Sequence, residues 1–142
     1  MNVEDDTWFW SIVDHAYDGG RGGWPHRLDR LRSSVAKLPD ERLLAFDAAM
    51  ARAMDALQRD ADVHAAATDA AGLLSDDAYA DFCAWVVSMG HARYLDFLRS
   101  PRRALEGIRF GEADGAEEDL FFEEYGQLAS EIREERGLEA EP

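Results

Sequence analysis

Residues 75–90 read Ser75-Asp76-Asp77-Ala78-Tyr79-Ala80-Asp81-Phe82-Cys83-Ala84-Trp85-Val86-Val87-Ser88-Met89-Gly90, and this stretch decides the fold. It opens with Ser75, a good N-cap. Two aspartates follow where a helix dipole favours negative charge. Tyr79, Phe82, Cys83, Trp85, Val86, Val87 and Met89 then cover more than half of a helical wheel. A helix apolar over so wide an arc is shielded on several sides at once, so this segment is expected to be the central helix of an all-α bundle. Gly90 ends it.

Outward from this centre the same period recurs, and strand alternation does not. Before it, Asp5 to Tyr17 is expected as a first helix, with Trp8, Phe9, Ile12, Val13, Ala16 and Tyr17 on one broad arc and Trp10 at its edge. Gly19 to Gly23 stops that helix as a glycine-rich connector. Trp24-Pro25 opens a second helix with the stripe Leu28, Leu31, Val35 and Leu38. Pro39 starts a third, carrying Leu43, Phe46, Met50, Met54 and Leu57. Asp60 to Ala71 is an alanine-rich fourth, ended by Gly72. Beyond Gly90, His91 to Arg99 continues helically with Tyr94, Leu95, Leu98 and Phe97 as inward candidates, and Ser100-Pro101 restarts a short turn through Leu105. Gly111 to Gly115 is expected as a loop. Glu117 to Arg136 is the last helix, with Phe121, Tyr125, Leu128 and Ile132 on one face. The expectation is one compact domain of seven or eight helices over residues 1–136 and a frayed acidic tail over 137–142.

Composition sets the limits. The 142 residues include 30 Asp and Glu against 15 Lys and Arg, a formal net charge of -15. Such a field disfavours nucleic acid and anionic lipid, which require clustered basic residues. Twelve acidic residues and two arginines lie between Glu112 and Pro142, so two-thirds of the net charge falls there. One cysteine, Cys83, excludes an intramolecular disulfide scaffold. No apolar run nears the about 18 residues of a membrane helix. The acidic start of the chain does not resemble a signal peptide. A cytoplasmic protein is expected.

Several local strings carry a resemblance. Trp10-Ser11-Ile12-Val13, Leu44-Ala45-Phe46-Asp47, Ser75-Asp76-Asp77-Ala78-Tyr79 and above all Phe82-Cys83-Ala84-Trp85-Val86-Val87-Ser88-Met89-Gly90 resemble an uncharacterised bacterial family, domain of unknown function 4240. The last string looks like that family's Phe-x-x-Trp-Leu-Ile-x-x-Gly segment. With the order of the helices, the resemblance reaches from about Trp8 to Tyr125. The chain departs from the pattern between Asp60 and Leu74, where it is alanine-rich rather than aromatic and glycine-rich. The resemblance implies a helical domain and assigns no activity.

The sequence holds no phosphate loop, dinucleotide fingerprint, His-Glu-x-x-His or nucleophile elbow. The glycines at 19–23 follow a helix rather than a strand, which argues for a linker over a phosphate cradle. His15, His26, His64 and His91 are scattered and Cys83 stands alone, so neither a metal site nor a cofactor is expected. Asp76 and Asp77 could act as an acid–base pair or hold a cation, yet neighbours on a helix diverge by about 100°, and first-turn charge explains them. Trp10 beside Asp14 and His15 suits a partner contact if part of the ring stays exposed, against the alternative that another helix covers it. His91 is read either as a group in a ligand pocket with Trp85 or as a satisfied core histidine. Arg21, His26, Arg27, Arg30, Arg32 and Lys37 form a basic cluster, expected to pair with acidic residues of the same chain, the last helix included.

Two functions follow from these readings. The first is a non-catalytic acidic interaction module, regulator- or immunity-like, that takes a basic protein partner; the acidic last helix is either the face it presents or a solvated face that keeps the protein soluble, and Trp10, Asp14, Asp76, Asp77, Trp85 and His91 are the candidate partner- or ligand-binding residues. The alternative is a small-ligand binder or enzyme with an interhelical pocket near Trp85 and His91. No catalytic residue is assigned, membrane and nucleic acid are not expected as partners, and the oligomeric state is left open.

Overall fold

Phe82 through Gly90 are all buried, nine consecutive residues that cannot share one face of any helix. A helix buried around its whole circumference must sit inside others, and that is what the computed structural model contains. It describes residues 6–20, 23–71, 75–106 and 123–138. Among these the elements are α1 (Thr7–Tyr17), α2 (Gly23–Ala36), α3 (Asp40–Gln58), α4 (Ala61–Ala71), α5 (Asp76–Ser88), α6 (His91–Arg99), α7 (Pro101–Glu106) and α8 (Glu123–Glu135), with no strand among the described residues. The expected all-α fold is therefore observed. Helix α5 packs against α3, α8, α6, α1 and α4, while α1 lies along α2 and α7 bridges α6 and α4.

The local reasons are those the residues suggest. Ser75 is extended and its hydroxyl accepts from Ala78 N at 3.1 Å, capping α5. Asp60 Oδ1 accepts from the amides of Asp62 and Val63 at 2.9 and 3.1 Å and starts α4. Asp18, at φ 51°, ends α1 in the left-handed region, where aspartate is tolerated, and Gly19 continues at φ 66° through a 3-10 turn. Arg21 and Gly22, the expected loop at Gly111–Gly115, the start of the last helix at Glu117–Phe122 and most of the acidic tail lie outside the described residues.

The core is aromatic around α5. Trp85, wholly buried, meets Phe82 at 5.5 Å and Phe97 at 5.9 Å between ring centroids. Edge and tilted geometries of this kind add to area burial. Tyr79 OH donates to the carbonyl of Leu57 at 2.8 Å and Tyr94 OH to that of Ala53 at 3.0 Å, so both hydroxyls are buried with a partner on α3. On the other side of α5, a Cβ added to Gly126 would meet Ala84 Cβ at 3.0 Å and Met54 S at 3.3 Å. Helix α8 approaches α5 and α3 as closely as the absence of a side chain permits.

One inward assignment is corrected. Leu95, expected to face the core, is 41% exposed, and Tyr94 and Phe97 are the buried residues of α6. The run Tyr94, Leu95, Phe97, Leu98 offers two overlapping arcs. The aromatic one wins because its rings reach Trp10 and Trp85.

Candidate functional site

Of the residues singled out from the sequence, Trp10, Asp14 and His91 are brought together at the joint between α1 and α6. The His91 ring stacks on the Trp10 indole, with centroids 4.5 Å apart and planes 15° from parallel, and Tyr94 covers another part of Trp10 at 4.6 Å. Asp14 Oδ1 accepts from the His91 amide at 2.9 Å. Helix α6 has no cap of its own from Gly90, so a carboxylate 77 residues away in sequence supplies it. Gly90 makes this fit. Its φ is 98°, and a Cβ there would lie 2.8 Å from Asp14 Oδ1. Trp10 is left 7% exposed, because α6 closes over the edge of the apolar arc.

The other sequence candidates lie elsewhere. Asp76 and Asp77 are exposed in the first turn of α5. They sit at the opposite end of that helix from His91, roughly 20 Å away along its axis. Trp85 is enclosed between Phe82 and Phe97 and has no exposed surface. The carboxylate pair, the core tryptophan and the α1–α6 joint therefore do not form one site.

The second helix contains what periodicity alone did not flag. Arg27, grouped with the basic cluster, is wholly buried. Its Nη1 donates to Ser88 Oγ at 3.0 Å, and Ser88 in turn donates to the carbonyl of Trp85 at 2.7 Å. The guanidinium also lies 5.4 Å from the Tyr17 ring centre. The signal was present: Arg27, Leu31 and Val35 follow at i, i+4 and i+8, so a charge stood in the apolar stripe. The remaining basic residues described on α2 are also engaged. Arg30 Nε donates to the His15 carbonyl at 3.0 Å, His26 Nε2 is 2.9 Å from Asp18 Oδ2, and Arg32 lies 3.7 Å from Asp29. These partners come from α1, from the turn after it and from α2 itself.

Charge on α8 is sorted by face. Arg133 pairs with Asp47 of α3 at 2.6 Å, and Ser130 donates to the same carboxylate at 3.0 Å. Arg136, just past the helix, donates to the carbonyls of Leu38 at 2.8 Å and Ala36 at 2.9 Å and pairs with Asp40 at 3.0 Å. The two arginine side chains are only 19% and 25% exposed, whereas Glu124, Glu131, Glu134 and Glu135 are all exposed. The cations hold α8 to the body and leave carboxylates outside.

Burial shifts the titration of several core groups. Desolvation pushes the Cys83 thiol up to about 12, although a hydrogen bond with Tyr79 pulls the other way, so it is protonated and unreactive at neutral pH. Tyr94 is likewise raised to about 12, first by desolvation and then by the negative charges of Asp6 and Cys83. Tyr79 and Tyr125 are raised further, again chiefly by burial. None is a poised acid or base. Among the described residues, no group of three or more His, Cys, Asp or Glu is arranged to hold a metal ion, and no helix is long and apolar enough to cross a membrane.

The model of a family described as protein of unknown function (DUF4240) matches residues 4–135. The chain belongs to this family. No curated protein and no solved structure matches it. The DUF4240 match spans every helix from α1 to α8, so the α1–α6 joint, the buried Arg27 and the Trp85 core all lie within the family domain.

Proposed function

We propose that this DUF4240 protein is a non-catalytic, cytoplasmic interaction module that docks a basic protein partner, a regulator- or immunity-like role, and that the outer face of α8 is the contact. The supporting observation is the sorting of charge on that helix. Arg133 and Arg136 turn inward onto Asp47 and Asp40, while Glu124, Glu131, Glu134 and Glu135 stay exposed and outnumber Arg32, the cation that shares a groove with Glu131 and Glu135. A net charge of -15 extends the attraction beyond contact range and speeds encounter with a basic surface. The absence of any recognised catalytic motif in the sequence fits a binding role.

Trp10, Asp14 and His91 serve this reading as structure. Their stacking and capping rigidify the frame that presents the acidic helix. The ligand-pocket alternative draws on Trp85 and His91, and both rings are already occupied by protein, Trp85 by Phe82 and Phe97 and His91 by Trp10.

The test is recovery of partners from the native cell on the immobilised protein and on a variant carrying Glu124→Gln, Glu131→Gln, Glu134→Gln and Glu135→Gln. The expected result is one basic protein bound stoichiometrically, released as salt is raised and much reduced on the variant. Failure to recover a stoichiometric partner, or equal recovery on the variant at all salt concentrations, overturns the proposal.

A further inference from the structure

In a chain where carboxylates outnumber basic side chains two to one, a surface arginine readily finds a partner. Most of the described arginines do. Arg30, Arg32, Arg52, Arg59, Arg99, Arg102, Arg133 and Arg136 each contact a carboxylate or a carbonyl, Arg42 lies over Trp8, and Arg27 is buried on Ser88. Among the described residues, Arg93 and Arg103 are the exceptions, with neither an ion pair nor a hydrogen bond nor a ring contact. Both line the same cleft, of about 400 Å³, at the elbow between α6 and α7, together with Asp96, Arg99, Ser100 and Ala104.

We propose that this cleft is a binding site for a small phosphate-bearing molecule. The elbow is a built feature. Arg93, Asp96 and Arg99 follow at i, i+3 and i+6 along one face of α6. Ser100 N donates to the Asp96 carbonyl at 2.8 Å, and buried Pro101 turns the chain into α7, which returns Arg103 to the same cleft. Arg102 points away and is held by Asp69 of α4. Arg93, Arg99 and Arg103 line one cleft, and guanidinium groups offer planar two-pronged hydrogen bonding to phosphate oxygens. The occupant must carry at least two negative charges, because it approaches through the field of a strongly acidic protein and near the negative end of the α6 dipole. A single carboxylate gains too little against that opposition. A nucleic-acid strand would press its flanking phosphates against the acidic remainder. The volume lies within the range of small-molecule sites. Asp96, 3.8 Å from Arg99, orients that guanidinium and offers an acceptor to a hydroxyl or amino group beside the phosphate.

The site does not involve the outer face of α8. Its failure would leave the partner-docking proposal standing, and the α8 glutamine variant should still bind the phosphate probe at Arg93 and Arg103.

The test is a nuclear magnetic resonance titration of the whole protein with sodium pyrophosphate at constant ionic strength, following the side-chain Nε–H signals of the arginines. Saturable shifts are expected at Arg93 and Arg103 and none at Arg59, which is paired with Asp55 elsewhere on the surface. Arg93→Gln and Arg103→Gln should each weaken pyrophosphate binding about tenfold, as loss of one charge-assisted hydrogen bond does, and Arg59→Gln should not. All three positions are exposed, and an unchanged melting curve confirms that each variant folds. Shifts that do not saturate, or that are equal at Arg59, mean general screening and overturn the proposal. So does saturable binding that survives both substitutions. Tighter binding of a single-stranded oligonucleotide or a polyglutamate peptide to the same arginines would replace the small phosphate with a macromolecule and equally overturn it.

Discussion

Two arginine-rich stretches, Arg27 to Arg32 on α2 and Arg93 to Arg103 on α6 and α7, look alike in the sequence and have opposite fates in the fold. On α2 the cations are used internally: Arg27 on Ser88, Arg30 on the end of α1, Arg32 on Asp29 of its own helix. On the α6–α7 elbow two of four remain open to solvent without a partner among the described residues. The difference lies in what each helix packs against. Helix α2 lies along α1 and beside α8, and its arginines meet the carbonyls and hydroxyls of its neighbours. The elbow packs on α4, where Arg102 pairs with Asp69, and leaves Arg93 and Arg103 without a partner among the described residues. A basic cluster therefore acquires meaning only once its neighbours are known.

The contrast can be broken most directly at Arg27. Arg27→Ala removes a buried side chain and its hydrogen bond to Ser88 and should cost about 3 kcal/mol, read by urea unfolding. Arg103→Ala should change stability by less than about 0.5 kcal/mol, as exposed substitutions do. Equal losses at the two positions would erase the distinction. Next in size is the joint that carries the open elbow. Gly90→Ala sets a Cβ against Asp14 Oδ1 at a positive φ and should cost about 2 kcal/mol in the same assay. A neutral result would mean that Asp14 does not hold the start of α6.

The elbow's anchorage also depends on pH. Tyr94, raised from 10.0 to about 12, is favoured in its protonated form by the fold. Its contribution is complete below the unfolded value of 10.0 and is lost as pH rises through about 12. Melting temperature should therefore fall across that window. Tyr94→Phe keeps the ring, and with it the contact to Trp10, and should make this part of the profile less steep, with Cys83, Tyr79 and Tyr125 supplying the rest. A small effect is also expected on α2. Arg30→Gln loses a partly exposed contact to the His15 carbonyl and should cost only about 0.5 kcal/mol. A larger loss would place Arg30 with Arg27 as a structural cation.

Periodicity was enough to read α5. Ser75, the acidic first turn and the wide apolar arc from Tyr79 to Met89 each state a local requirement, and local requirements are what a sequence displays. The same is true of the paired stripes of α2, α3 and α8. It failed where two faces competed. Helix α6 carries four large apolar residues in five positions, and only the rings waiting on α1 and α5 decide that Leu95 stays outside. Trp10 stood on the edge of its arc for a similar reason, since what covers it is 81 residues away. Arg27 was legible in part, because it occupied a stripe position, but its hydroxyl partner on α5 was not. The cleft at the elbow was invisible as a cluster, since Arg93, Arg99 and Arg103 are brought to one wall only by the turn at Pro101.

The bond from the His91 amide to Asp14 has a consequence for how the molecule assembles. A nine-residue helix without a serviceable first turn of its own is marginal in isolation. Helix α6 therefore gains its starting cap only when the opening segment of the chain has come to rest against it. Closing that 77-residue span carries an entropic cost that the packing around the joint must offset. The His91 amide hydrogen accordingly serves as an internal gauge: its rate of exchange with deuterium reports whether the two distant parts of the chain have parted.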